Sequence, residues 1–150
     1  MINHFSQRFK FADWPNPVVP LITAGVYAIW NSETLIYCEM SGHNLNQTRQ
    51  SSSKKRGLAI RLASHASGRL SGDQFCVYIA NRFVIPSIIP AQFPEFISGN
   101  PDLDQLTKKY IHSNLEYQFS TSSSSYEALA LEHKCRLGLI FESKPLLNPL

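Results

Sequence analysis

The sequence predicts an α/β domain with a small, mainly antiparallel sheet of about three or four strands flanked by helices. Three observations predict it. Residues 24–30 and 34–40 are rich in β-branched and aromatic side chains and are separated by the short polar stretch Asn31-Ser32-Glu33, which is a hairpin pattern. Apolar residues recur at helical spacing in 58–67, 102–114 and 125–137. The chain has 150 residues, 43% of them hydrophobic and 17% charged, which suits one domain with a real core.

Taken in order, residues 1–23 hold Phe5, Phe9, Phe11, Trp14, Pro15, Pro17 and Pro20. The prolines exclude a long helix there, so the segment reads as an irregular arm that packs on the domain or docks a partner. Residues 24–150 form the domain proper, with no internal repeat and no second unit. In the hairpin, a three-residue loop sets Trp30 opposite Thr34 and Tyr27 opposite Tyr37, which places the two phenols about 5 Å apart on one face. The bland reading is a pair of ordinary strand aromatics. The next helix, 58–67, buries Leu58 and Leu62, carries Arg61 and His65 one turn apart on a neighbouring face, and stops at Gly68. Residues 75–85 read as a third strand around Cys76-Val77-Tyr78-Ile79. Pro86, Pro90 and Pro94 then break regular structure. A helix over 102–114, a short strand over 115–120 and a helix over 125–137 follow, the last capped by Ser124 and ending at Gly138.

Composition narrows the function classes. The formal net charge is +3, which suits a polyanionic partner without requiring one. Arg49, Lys54, Lys55, Arg56, Arg61 and Arg69 fall within about twenty residues with no acid between them, and this cluster can neutralise phosphates. The plain alternative is a solvated loop. No apolar run reaches the roughly 18 residues of a membrane span, and residues 1–10 lack the apolar core of a signal peptide. Cys38, Cys76 and Cys135 match neither a zinc pattern nor a disulfide framework. The expectation is a cytoplasmic protein.

The last helix distinguishes two acids. Glu127 completes a capping box with Ser124, reaching back to its backbone. Glu132 follows Ala128-Leu129-Ala130-Leu131 in a helix apolar enough to be largely buried, where a carboxylate needs a cation or a partner. Arg136, one turn on, is the structural partner available. Arg61 has the flat, permanent charge that fits a phosphate oxygen. His65 can orient a water, shuttle a proton or bond a phosphate, or be structural. Asn148 can hold a phosphate or orient Glu132, or simply make the turn before Pro149.

Gly25-Val26-Tyr27, Tyr37-Cys38-Glu39, Arg61 with His65, the run ending at Glu132, and Lys144-Pro145-Leu146-Leu147-Asn148 together resemble the GIY-YIG endonuclease family over roughly residues 25–148. The resemblance implies a metal-dependent endonuclease that hydrolyses DNA, with RNA not excluded. It implies one divalent cation, Mg2+ or Mn2+, on Glu132, with Arg61 stabilising charge on the phosphate and a tyrosine activating the water. Tyr27 is then the general base and Tyr37 its partner, or the reverse. His65 and Asn148 join the same site, and Arg49, Lys54, Lys55, Arg56 and Arg69 bind the nucleic acid. Residues 1–23 and 83–101 can supply target recognition, as in restriction-type members. One position departs from the family: Glu39 stands where glycine is usual. The alternative from another class is therefore a catalytically impaired nucleic-acid-binding module of the same fold. A third is a structural interaction domain that docks through the aromatic arm.

Overall fold

The computed structural model describes residues 4–42 and 57–149. Arg49, Lys54, Lys55 and Arg56 of the expected phosphate-binding cluster lie outside the described residues. The fold is α/β. Four strands, β1 (Phe9–Lys10), β2 (Gly25–Asn31), β3 (Thr34–Ser41) and β4 (Leu115–Thr121), form one sheet in the order β1-β4-β2-β3. Every neighbouring pair is antiparallel. The segment read above as an arm therefore contributes an edge strand, and its Phe11 is fully buried. Among the described residues no helix is long and apolar enough to cross a membrane.

Alternation along the strands splits the interior in two. Tyr27, Ile29, Tyr37, Tyr117 and Phe119 share one face and pack with Leu58, Leu62, Phe75, Ile79 and Ile111. Those partners come from helices α1 (Leu58–Ser67), α2 (Gln74–Ile79) and α4 (Leu103–Asn114), with the short α3 (Phe93–Ser98) between the last two. On the other face Val26, Cys38 and Met40 pack with Ala128, Leu131 and Cys135 of α5 (Ser125–Arg136).

Helix α1 is seated at both ends through glycine, on the sheet at its start and on α4 at its finish. A methyl group on Gly25 would press on the Ser120 carbonyl and come 2.8 Å from Leu58 Cδ1, so glycine lets α1 approach β2. Gly68 ends the helix at φ 70°, in the left-handed region, with its backbone N–H on the His65 carbonyl; a Cβ there would meet the Lys108 backbone of α4. These two contacts fix the level of Arg61 and His65 against the hairpin.

Three sequence expectations are corrected. Residues 75–85 do not form a strand: α2 is followed by a π-helical turn over Ala80–Val84 and a 3-10 turn over Ile85–Ser87. Phe75, Cys76, Ile79, Ala80 and Val84 are the buried positions, a helical stripe, and the Asp73 side chain caps the start by accepting from Cys76 N–H. Capping and packing on α4 override the strand preference of Cys-Val-Tyr-Ile. The hairpin register also differs. Asn31 pairs with Thr34 across a two-residue turn in which Ser32 has φ 52°. A register shift then follows between Ile29 and Trp30, so that Tyr27 faces Glu39 and Tyr37 faces Ile29. The pairing Trp30–Leu35 and Ile29–Tyr37 leaves Ile36 as the extra, bulged residue. Finally, α5 is not buried around most of its surface: Tyr126 and Leu129 are exposed, and burial is confined to Ala128, Leu131, Glu132 and Cys135.

Candidate active site

The bulge decides which face Tyr37 occupies. A two-residue turn alone would place Tyr37 opposite Ala28, on the α5 face. The additional residue restores the parity, and Tyr37 joins Tyr27 beneath α1. Their ring centroids are 6.5 Å apart. Because Glu39 is two residues beyond Tyr37, it points to the same side and lies directly across from Tyr27.

The Glu39 carboxylate is the hub. Its Oε2 accepts from the Tyr27 hydroxyl at 2.7 Å, from Arg61 Nη2 at 3.0 Å and from the Tyr37 hydroxyl at 3.2 Å. The Glu39 and Arg61 side chains reach solvent, at 26% and 37% exposure, while Tyr27 and His65 are at 0%. The carboxylate and guanidinium thus form the outer layer over a buried phenol. Glu39 is thus built into this cluster and bonded to three of its side chains.

A second chain of bonds runs inward. The Tyr27 hydroxyl is 2.7 Å from His65 Nε2, and His65 Nδ1 is 2.8 Å from Asp73 Oδ2. Asp73 Oδ2 also accepts from the Ser64 hydroxyl at 2.6 Å, and Asp73 Oδ1 accepts from Cys76 N–H. Asp73 was not among the candidate residues read from sequence. Its signal was a helix cap: an acid after Ser71-Gly72 and just before an apolar helical stripe.

The charges follow from this arrangement. Burial pushes the Tyr27 phenol well above its ordinary range, and the Glu39 charge and the neighbouring Tyr37 add to that, against the opposing pull of Arg61. Tyr37 is raised by the same first two causes. Burial alone would raise Glu39, yet the Tyr27 bond and Arg61 outweigh it and hold the carboxyl below its ordinary value. In Asp73 the cost of burial is likewise overcome, by the His65 bond first and then by Ser64 and the Cys76 N–H, so it stays ionised. A free tyrosinate at this position is therefore disfavoured while Glu39 is in place.

Tyr27, Tyr37, Arg61 and His65 come together; Glu132 and Asn148 do not join their hydrogen bonds. Glu132 is buried on the stripe of α5 that packs on the other sheet face, and its Oε1 is 2.9 Å from Arg136 Nη2. A guanidinium already on that carboxylate opposes a divalent cation there, so Glu132 as placed does not fit the metal-ligand role. Among the described residues no group of three or more His, Cys, Asp or Glu is arranged to hold a metal ion. Asn148 lies along the outer edge of β3. Its Oδ1 accepts from Cys38 N–H at 2.8 Å and its Nδ2 donates to the Cys38 carbonyl at 2.9 Å. With Leu146 N–H on Leu35 O and Leu147 N–H on Ile36 O, this segment covers the sheet edge. Arg69 is exposed just after α1, its N–H bonded to the Ser67 hydroxyl. Glu127 is a capping residue as expected, but it bonds the Ser123 N–H and hydroxyl instead of the Ser124 backbone. Comparison of the chain with family models, with curated proteins and with solved structures found no match in any of the three.

Proposed function

We propose that this chain is a GIY-YIG-type endonuclease that hydrolyses phosphodiester bonds in DNA. The observation that carries the reading is the meeting of Tyr27, Tyr37, Arg61 and His65 on one sheet face, with Arg61 reaching the surface. In this reading a phosphate of the nucleic acid replaces Glu39 as the partner of Arg61. The guanidinium then stabilises the charge that grows on phosphorus-bound oxygens in the transition state. Loss of its counter-charge, and repulsion by the phosphate, turns the Glu39 carboxylate outward and uncovers the Tyr27 hydroxyl for a water. Tyr27 takes the water's proton, and Tyr37 orients the water beside it. A divalent cation, when bound, would neutralise phosphate charge; because Glu132 is held by Arg136, no step is assigned through it. The exposed Arg69 extends the contact to the nucleic-acid backbone.

A specific observation favours a second reading. Glu39 neutralises Arg61 and occupies Tyr27, which are the groups hydrolysis needs. If it stays there, the chain is a nucleic-acid-binding module without catalysis. Incubation of the protein with supercoiled plasmid, with and without Mg2+ and across pH, tests both. Nicking that disappears in Tyr27→Phe and Arg61→Ala supports the enzyme. Retention of DNA in a mobility-shift gel with no nicking by wild type, but nicking by Glu39→Gly, supports the disabled module. Neither nicking nor retention would overturn both.

A further inference from the structure

Tyr27 has one hydroxyl proton and two partners, Glu39 Oε2 and His65 Nε2, each at 2.7 Å. His65 cannot turn to offer its other nitrogen. Its Nδ1 is held at 2.8 Å by Asp73, a carboxylate at 3% exposure that itself takes bonds from Ser64 and the Cys76 N–H. The ring is also wedged between Tyr27 and Phe75, at centroid distances of 5.4 and 4.5 Å. An ionised Asp73 accepts only, so the hydrogen on that bond sits on Nδ1. A neutral His65 then presents the bare Nε2 lone pair to Tyr27. A buried carboxylate, an imidazole and a hydroxyl in series are the parts of a relay that draws a proton off the hydroxyl.

We propose that Asp73 is a positioning residue that locks His65 as the proton acceptor for Tyr27, an assignment that rests on the endonuclease reading for its place in the reaction. The phosphate sets the direction. While Glu39 is in place, the Tyr27 proton is shared outward. Once phosphate has drawn Arg61 off Glu39, His65 is the remaining acceptor. As the water oxygen forms its bond to phosphorus, a water O–H breaks and that proton goes to the Tyr27 oxygen. The original Tyr27 O–H breaks and its proton goes to His65 Nε2. The phosphorus bond to the leaving oxygen breaks, and that oxygen takes a proton from solvent. Tyr27 begins and ends neutral, so its high proton affinity is no obstacle, and Asp73 faces the imidazolium that forms. The other titratable groups beside this ring are Tyr37 and Glu39 from β3, while the Cys76 thiol from α2 donates to the His65 backbone carbonyl and Arg61, from the same helix, pairs with Glu39.

Two measurements test the assignment independently of each other. In 15N-histidine-labelled full-length wild type, at a pH where the ring is neutral, the His65 nitrogen shifts should place the proton on Nδ1. A proton on Nε2 would overturn the proposal whether or not the protein cuts DNA. In Asp73→Asn the amide can donate to Nδ1, and the proton should move to Nε2. Asparagine also caps helices, so α2 and the melting temperature should be largely kept. In steady-state cleavage, Asp73→Asn should then lower kcat by about 100-fold with KM within about two-fold. A changed tautomer with unchanged kcat would overturn the role in the reaction. A wild type that cuts nothing removes the endonuclease reading, and the nitrogen shifts still decide what Asp73 does to His65.

Discussion

Replacing Glu39 by glutamine should make the protein less stable and, at the same time, a tighter binder of DNA. Glutamine keeps an acceptor oxygen at the hub but removes its charge. Bonds to a charged acceptor are worth roughly 1.5–3 kcal/mol and neutral ones roughly 0.5–1.5. The buried Tyr27 bond at 2.7 Å therefore loses about 1 kcal/mol. The Arg61 pair is more than a third exposed on the arginine side, so screening reduces its share to about 0–1 kcal/mol. The net cost to folding is about 1–2 kcal/mol. Affinity moves the other way. Arg61 no longer has to leave a carboxylate, and a phosphate about 6 Å from that carboxylate escapes a repulsion of about 1–3 kcal/mol. A gain of about 2 kcal/mol is roughly 30-fold in Kd. Fluorescence anisotropy with a labelled duplex, in chelator so that nothing is cut, measures it, and urea melts measure the stability. The affinity gain should shrink as salt is raised. Opposite signs separate this outcome from a general loss of structure. Equal Kd values for wild type and Glu39→Gln would show that the carboxylate does not hold Arg61 in solution, and the account of substrate-driven displacement would fail.

Glu132→Gln should cost about 1–2 kcal/mol in a urea melt, between the values for exposed and buried ion pairs, because Arg136 is left partly buried beside it. If its cleavage rate in Mg2+ equals that of wild type, the metal site is elsewhere; a lost rate with unchanged folding would restore Glu132 as the ligand. Asn148→Ala removes both bonds to the Cys38 backbone and should lower stability by about 1–3 kcal/mol while leaving Kd for DNA unchanged. A large change in Kd would instead put Asn148 at the phosphate. Two pH limits follow from the shifted groups. Glu39 and Asp73 are held below their unfolded values near 4, so their stabilisation is present above about pH 4 and lost as pH falls through the folded values. Tyr27 is held above its unfolded value near 10, so its contribution is present below about pH 10 and lost as pH rises further. Melting temperature against pH should therefore fall at both ends, less steeply for Asp73→Asn in acid and for Tyr27→Phe in alkali; parallel curves would contradict the assigned shifts.

Much of this frame is legible from local chemistry. Ser124 and Gly138 bracket α5, Gly68 ends α1, and Leu58 with Leu62 marks the buried side of α1, because caps and one-turn spacing act over a few residues. What the sequence conceals depends on distant partners. The segment around Cys76 has the composition of a strand, but it packs as a helix on one face of the sheet, with Phe75 on Tyr37, and takes no place in the sheet's hydrogen bonding. Glu132 carries the same apolar flanks whether its cation is a metal or Arg136, so only placement separates the two. Asp73 reads as a cap and acts also on a histidine eight positions earlier, a contact that exists only once α1 and α2 pack. Tyr27 and Tyr37 were expected on one face, and they are, but through a register that makes Glu39 the direct neighbour of Tyr27.

That register has a consequence for how such a hairpin can vary. The turn at Ser32-Glu33 and the extra residue Ile36 each shift the pairing by one, and their effects on facing cancel. A single insertion or deletion between Trp30 and Tyr37 would send Tyr37 and Glu39 together to the α5 side and bring Cys38 under α1. A longer turn with a lost bulge, or the converse, keeps both the facing and the number of residues between the two tyrosines. The way the hairpin closes is therefore free to change, whereas the parity of the tyrosine spacing, and with it the shared side of the sheet, is not. Chains with the same spacing can thus differ in turn type and in the presence of a bulge.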